Sequence, residues 1–428
     1  MNTLLWKYKE FVRTMLPAWL IGSYHFSIAI LGAIIYGFPS QHMTVIAVTG
    51  TKGKSSTTEM INAIFEEAGH KTALLNSIRF KIGSDSQANE LRMSMPGRFF
   101  IQRFLSDAVQ AGCTVAILEM TSEGARQYRH RGIALDALVF TNLAPEHIES
   151  HGSLENYANA KFEIGRQLVR SSKRPRVMVA NAEDPQSGRY LTLQVEHALP
   201  FTLAASAPYS ADDHGGHFMF DTTEIATHLP GEFSLRNAIA ASTLSRAFNV
   251  PTIAIKHGLE KLVRIPGRAE RIEEGQEYTV VVDYAHTPDS LRALYDAYGS
   301  SRKICVLGST GGGRDNWKRP VMGSIADSRC DVVILTNEDP YDEDPRSIVE
   351  AMASGMKRPP LIIMDRREAI GNALSMAKPG DAVLITGKGT DPCICGPRGS
   401  KTRWSDAEVA REELGKRRPS APTGATAV

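Results

Sequence analysis

Charge of one sign is what this chain of 428 residues has least of: 49 Lys and Arg stand against 47 Asp and Glu, a formal net charge of +2. So even a balance gives no electrostatic footprint for nucleic acid, and no basic run with interleaved aromatic residues appears. Cysteine is scarce as well. The five (Cys113, Cys305, Cys330, Cys393 and Cys395) are odd in number and mostly isolated. That argues against a secreted disulfide framework and for reduced thiols in the cytosol. The Cys393-Ile394-Cys395 spacing is wrong for a zinc knuckle and has no second ligand pair. There is no internal repeat, and no small-residue cleavage signal near the front of the chain. Between Thr14 and Thr51 there is no formally charged residue at all.

What is present is globular: 42% hydrophobic and 22% charged residues, in a chain too long for one ordinary domain, predict two or three domains with real cores. The uncharged stretch 17–38, PAWLIGSYHFSIAILGAIIYGF, is about as long as the ~20 residues a spanning helix needs. Lys7, Lys9 and Arg13 before it would hold the N-terminus inside and so export everything that follows, and His25, Ser23, Ser27 and the glycines weaken a spanning helix further. Packing onto the core is the first expectation for this stretch, a monotopic or re-entrant membrane contact the second, and spanning the last.

The stretch 45–58, VIAVTGTKGKSSTT, organises the remainder. A β-branched run leads into a turn with Gly50, Thr51, Lys52 and Gly53, and Lys54, Ser55 and Ser56 open a helix. Thr57, Met60, Ile61, Ile64 and Phe65 follow at helical spacing. This is a phosphate cradle: glycines let backbone N–H groups close on phosphate oxygens, the helix N-terminus adds partial positive charge, Lys54 reaches the terminal phosphates and Ser55 can hold Mg²⁺. Val48 stands where the first glycine of the full GxxxxGK[ST] pattern would be. The chemistry implied is that of an ATP-dependent enzyme.

From 44 to 266 apolar runs alternate with helical segments, as in a doubly wound α/β domain. Strands are expected at 115–120, 137–142 and 176–181, and Glu119, Asn142, Glu146, His147 and Asn181 fall at or beyond their carboxyl ends, where ligands of such sheets sit. A largely polar excursion, 211–229, precedes a helix from 229. A second α/β domain, 267–415, is expected with strands at 278–286, 303–309, 331–337, 361–365 and 382–387 and a second glycine-rich turn at 308–314 that lacks a following Lys-Ser. The polar, Pro-containing tail 416–428 is expected to be disordered.

Taken together, TGTKGKSSTT, LEMTSE (118–123), FTNLAPEHIESHGSLENYANAK (140–161), PGRAE (266–270), VVDYAHTPDSL (281–291) and GGRDNWKRPVMG (312–323) resemble the Mur ligase family, nearest its UDP-N-acetylmuramoyl-tripeptide synthetases. The resemblance covers 44–414. It implies a P-loop-containing central domain, a C-terminal Rossmann-like domain and a cytoplasmic, monomeric ligase of cell-wall synthesis. It also implies ATP, with Mg²⁺ or Mn²⁺ in its place, and a muramoyl-peptide acceptor that receives an amino acid through an acyl phosphate.

By that resemblance Ser55 and Glu119 hold the Mg²⁺ between β- and γ-phosphates, and His147 serves a second one with Lys161, whose amine the family converts to a carbamate. That reaction requires an uncharged amine. Asn142 and His151 shape the γ-phosphate site. Asn237, Arg268, Asp283 and His286 contact adenine, phosphate and ribose; the competing structural readings are Asp283 as the cap of a strand end and Arg268 as the partner of Glu270. Ser122 and Arg129 meet the muramoyl dipeptide, and Arg314 meets the carboxylate of the incoming amino acid.

The chain departs from the pattern in two places. Diaminopimelate-adding members carry Asp-Asn-Pro-Arg where Glu338-Asp339-Pro340-Tyr341 stands, and Tyr341 lacks the guanidinium fork for a distal carboxylate. Asp339 is expected to receive a side-chain ammonium instead, favouring lysine, ornithine or another basic amino acid. Gly-Lys-Gly-His-Glu is replaced by Gly387-Lys388-Gly389-Thr390-Asp391, a carboxylate one methylene shorter. The segment 1–43 stands in place of the family's uridine-nucleotide domain and leaves little room for such a pocket. A lipid-linked acceptor met at the membrane through 17–38 is the hypothesis this raises. The competing expectations are a folylpolyglutamate-synthetase-like or cyanophycin-synthetase-like ligase of the same fold and, further off, a non-catalytic ATP-binding scaffold.

Overall fold

The computed structural model describes residues 17–299 and 301–417. The expected tail at 418–428 and the basic residues of 1–16 lie outside the described residues. The chain forms two compact units. The first comprises Met1–Tyr209, His217–Thr227 and Ser234–Leu262; the second comprises Ser210–Gly216, His228–Phe233 and Val263–Val428.

In the first unit, helix α1 (Ala18–Ile35) precedes strand β1 (Thr44–Thr49), the phosphate-cradle turn and helix α2 (Lys54–Glu67). Strands β2 (Thr72–Leu75), β3 (Arg79–Ile82) and β4 (Asp85–Ala88) lead to helix α3 (Arg98–Gln110) and strand β5 (Val115–Glu119). Strand β6 (Ala137–Phe140), helix α4 (Leu154–Val169), β7 (Val177–Asn181) and β8 (His197–Phe201) complete one eight-stranded sheet, ordered β4-β3-β2-β5-β1-β6-β7-β8. β1 lies centrally, parallel to both β5 and β6. Its run Val45–Val48 is wholly buried, as a strand covered on both faces must be, so the cradle turn emerges from the most constrained strand of the sheet. Only the β2–β3 and β3–β4 pairings, at one edge, are antiparallel.

The second unit holds a six-stranded sheet. Its strands are β9 (Glu270–Arg271), β10 (Thr279–Asp283), β11 (Lys303–Leu307), β12 (Val332–Leu335), β13 (Leu361–Ile362) and β14 (Ala382–Thr386), in the order β9-β10-β14-β11-β12-β13. All but β9 pair in parallel. One buried apolar layer covers each face, one around Leu291, Tyr295 and Met322, the other around Ile370, Leu374 and Val409.

Two expectations need correction, and the first expectation for 17–38, packing onto the core, is met. The stretch 211–229 is not a plain polar excursion: Gly216–Phe220 and Thr223–Thr227 are strands, whose alternate residues Phe218 and Ile225 are buried. Nor are all five cysteines reduced. Cys305, in β11, and Cys330, just beyond helix Lys318–Arg329, form a disulfide; Cys113, Cys393 and Cys395 remain free. Finally, α1 rests against α3 by its small residues, and no helix among the described residues is long and apolar enough to cross a membrane.

Candidate active site

The turn after β1 requires glycine for steric reasons. Gly50 has φ +147°, and a Cβ there would come within 1.9 Å of Thr141 Oγ1; Gly53 has φ +79°, and a Cβ there would meet Asn237 Oδ1 at 2.3 Å. The loop is therefore closed between two neighbouring segments. Asn142 Oδ1 accepts from the Lys52 N–H at 2.9 Å, its Nδ2 donates to the Lys52 carbonyl, and Thr57 Oγ1 donates to Asn237 Oδ1 at 3.3 Å. Asn142 and Asn237 thus buttress the cradle from beneath. Lys54 Nζ donates to the Thr51 carbonyl at 2.8 Å, Lys52 pairs with Glu146 at 3.2 Å, and Ser56 lies in the first turn of α2.

Two hard oxygen donors meet at the mouth of the cradle. Ser55 Oγ donates to Glu119 Oε2 at 2.8 Å, and the Ser77 N–H reaches the same oxygen at 2.9 Å while its hydroxyl lies 2.8 Å from Ser55 Oγ. Sequence reasoning passed over Ser77, which follows a four-residue strand and belongs to no motif. A hydroxyl beside a carboxylate is a donor set suited to Mg²⁺. No group of three or more His, Cys, Asp or Glu that could hold a metal ion occurs among the described residues.

Lys161 comes from the middle of α4 and is buried. Its Nζ donates to the Gly50 carbonyl at 2.6 Å and sits 4.7 Å above the Tyr157 ring. Burial, and then the neighbouring Lys54, hold its pKa well below the usual lysine value, against the opposing pull of Glu146. Tyr157 was the other residue missed, although it stood inside the motif 140–161. Its hydroxyl lies 3.1 Å from Thr51 Oγ1, and both His147 and His151 approach its ring edge-on at 6.0 and 5.3 Å. His147 caps a short helix with φ +57° and lies 3.9 Å from Glu146, with its side chain half exposed. His151 is buried, its Nε2 has no hydrogen-bond partner among the described residues, and desolvation lowers its pKa. Asn181, at the end of β7, only accepts from the Glu183 N–H at 3.1 Å.

Ser122 is buried in the first turn of helix Ser122–Arg126. Arg129 is tied to the Met95 carbonyl and to Gln127 Oε1 at 2.7 Å, with its Nε buried and unpartnered.

In the second unit Asp283 ends β10 and accepts from the Ala269 and Ala285 N–H groups, both at 2.6 Å; burial raises its pKa against those bonds. Glu270 takes Arg411 at 2.9 Å, and the Arg268 guanidinium lies 4.6 Å over Tyr284. The His286 ring sits edge-on to Tyr284, 4.6 Å away, so Arg268, Asp283 and His286 gather around one aromatic ring.

The loops beyond β11, β12 and β14 form a second cluster. Arg314 stacks 4.9 Å over Tyr341, which itself holds φ +53°. Asp339, expected to receive an ammonium, holds one from within the chain: its Oδ1 accepts from Lys388 Nζ and the Cys395 N–H, both at 2.8 Å, in a buried ion pair that Asp391 joins at 3.6 Å. The carboxylate with capacity left is Glu338. Its Oε1 accepts from Thr310 at 2.8 Å, while buried Oε2 has no hydrogen-bond partner among the described residues and lies where a Cβ on Gly387, φ +110°, would touch it at 2.3 Å.

The Mur ligase middle domain matches residues 48–245, and the glutamate ligase domain of Mur ligases matches 267–389. A UDP-N-acetylmuramyl-tripeptide synthetase of Roseiflexus sp. (strain RS-1) is 36% identical over 94% of this chain and 84% of its own. A UDP-N-acetylmuramoyl-L-alanyl-D-glutamate–2,6-diaminopimelate ligase of Halalkalibacterium halodurans is 35% identical over 83% and 75%. A solved structure of a ligase of the latter name aligns at 28% identity with a TM-score of 0.59, covering 87% of this chain and 78% of that one. Mycobacterium tuberculosis folylpolyglutamate synthase aligns with a TM-score of 0.72 over 91% and 95% at 18% identity, a likeness of fold alone.

Proposed function

The chain belongs to the Mur ligase family, and on that premise we propose that it is an ATP-dependent, ADP-forming ligase that adds an amino acid to a muramoyl-peptide acceptor in peptidoglycan precursor synthesis. The observation that carries this reading is the convergence of Lys54, the Ser55–Glu119 pair and buried Lys161 on one seven-residue turn, 50–56. The acceptor carboxylate attacks the γ-phosphorus of ATP, ADP leaves, and the amine then displaces phosphate from the acyl phosphate through a tetrahedral intermediate. Two anions must approach, so the cradle N–H groups and Lys54, released from the Thr51 carbonyl, offset their repulsion. Ser55 and Glu119 would hold Mg²⁺, or Mn²⁺ in its place, which screens charge between the phosphates.

Lys161 is read as the site of carbamylation, supported by a buried amine whose pKa is held well below the usual lysine value, which favours the uncharged form the reaction needs. His147 and His151 stand beside it around Tyr157 and serve the γ-phosphate end. Asn237 and the Arg268, Asp283 and His286 group take the nucleoside side, and Ser122 and Arg129 the muramoyl dipeptide. In this scheme 44–266 is the ATP-binding domain and 267–415 the amino-acid domain. The amino acid is basic with a terminal ammonium: Arg314 takes its carboxylate and Glu338 its ammonium, with Tyr341, Gly387 and Asp391 lining the same loops. Diaminopimelate is the second reading, favoured by the names of several relatives. The protein works as a cytoplasmic monomer, with peripheral membrane contact through 17–38.

Phosphate release with ATP, Mg²⁺ and UDP-N-acetylmuramoyl-L-Ala-D-Glu is the test, with lysine, ornithine and diaminopimelate supplied separately. Turnover with lysine or ornithine is expected. Turnover with diaminopimelate alone would overturn the amino-acid assignment, and folate-plus-glutamate turnover the acceptor.

A further inference from the structure

We propose that the outward face of α1 is a docking face for an anionic lipid bilayer, on which the helix lies without crossing. This rests on the peripheral contact proposed above and names its residues and its partner.

The helix is seated the reverse of an ordinary amphipathic one. Its small residues face the protein: Ala29 and Ala33 are buried, a Cβ on Gly32 would lie 3.7 Å from Phe99 of α3, and a Cβ on Gly132 would lie 2.7 Å from Ala33. Its large apolar residues face out. Leu20, Tyr24, Leu31, Ile34 and Ile35 are 39–60% exposed, and at 100° per residue they form one stripe along the helix. Phe38 just beyond it and Phe99 beside it, 42% and 36% exposed, extend the patch. Leaving side chains of this size exposed to water forgoes about 25 cal/mol per Å² that an apolar phase would supply.

The flank says which phase. Residues 1–16 carry Lys7, Lys9 and Arg13 against Glu10, interleaved with Trp6, Tyr8 and Phe11, and they run directly into the helix. Basic and aromatic residues beside an uncharged apolar helix match the headgroup layer of an anionic leaflet in charge and in polarity. A second copy of the chain fits less well. An 18-residue helix is about 27 Å long and about 10 Å wide, a footprint far below the roughly 800 Å² per partner of a stable dimer.

The test is co-sedimentation of the full chain with vesicles of equimolar phosphatidylcholine and phosphatidylglycerol, against phosphatidylcholine alone, with light scattering for mass and phosphate release on soluble substrates in parallel. The chain is expected to partition onto the anionic vesicles. Leu31→Ser/Ile34→Ser/Ile35→Ser should lower that partition at least about tenfold, and Lys7→Ala about fivefold. Both variants should keep the thermal midpoint and soluble-substrate turnover of the parent, so a failed ligase assay and failed docking are told apart. No partition by the parent, equal partition by the triple variant, or a dimer that the triple variant dissociates would each overturn the proposal.

Discussion

The most deeply buried lysines among the described residues, Lys161 in the first unit and Lys388 in the second, are handled in opposite ways. Lys388, beyond β14, meets Asp339 at 2.8 Å and Asp391 at 3.6 Å, so its charge is matched where it is desolvated. Lys161, in α4, meets a carbonyl, an aromatic face and two further lysines nearby, and its pKa falls well below the usual value. Burial alone therefore does not say what a lysine is for. A matched lysine ties the loops beyond β12 and β14 together, whereas an unmatched one, its pKa held low, is desolvated at a permanent cost in stability.

The sharpest way to break that contrast is to remove each lysine. Lys161→Met should reduce kcat at least about 10³-fold by the loss of a positioned charge-stabilising group. It should also raise the thermal midpoint, because a folded-state pKa below the unfolded value means that proton release opposes folding at neutral pH. Lys388→Met should do the reverse, costing about 3–5 kcal/mol in denaturant unfolding by stranding Asp339, and Lys388→Met/Asp339→Asn should recover much of it.

Glu338 extends the comparison to a carboxylate. Glu338→Gln should raise KM for the basic amino acid on the order of 10- to 100-fold with a smaller change in kcat, because a charge-assisted bond of about 1.5–3 kcal/mol is lost. His130 offers a third buried base, with no hydrogen-bond partner on either ring nitrogen and a pKa that burial lowers to about 3. The unfolded chain takes up a proton near pH 6.5 that the folded chain refuses. Stability is then full above that pH and falls by up to about 1.4 kcal/mol per unit as pH drops towards 3. His130→Leu should flatten the urea midpoint over that window.

Much of the fold was legible because it is written in runs. Val115–Glu119, Ala137–Phe140, Val177–Asn181 and the parallel strands of the second sheet are short, apolar and bounded by polar residues, since strands buried on both faces have no other choice of composition. The edge strands Arg79–Ile82 and Asp85–Ala88 were not, because an edge open to solvent imposes no such run.

The cradle was legible for a stronger reason. Only glycine tolerates the backbone of 50 and 53, and only a lysine and a hydroxyl opening the next helix serve phosphate and cation, so backbone and chemistry constrain the same ten residues. The sequence by itself thus determined the two α/β units, the cradle and the acidic partner Glu119. Tertiary structure decided which of several carboxylates and lysines are free to act. Ser77 joins Glu119 from the loop between β2 and β3, Lys388 pairs with Asp339 from a loop 49 residues away, and Cys305 meets Cys330 across 25 residues. Burial and pairing are properties of neighbours brought together by the sheet, and local composition carries no record of them.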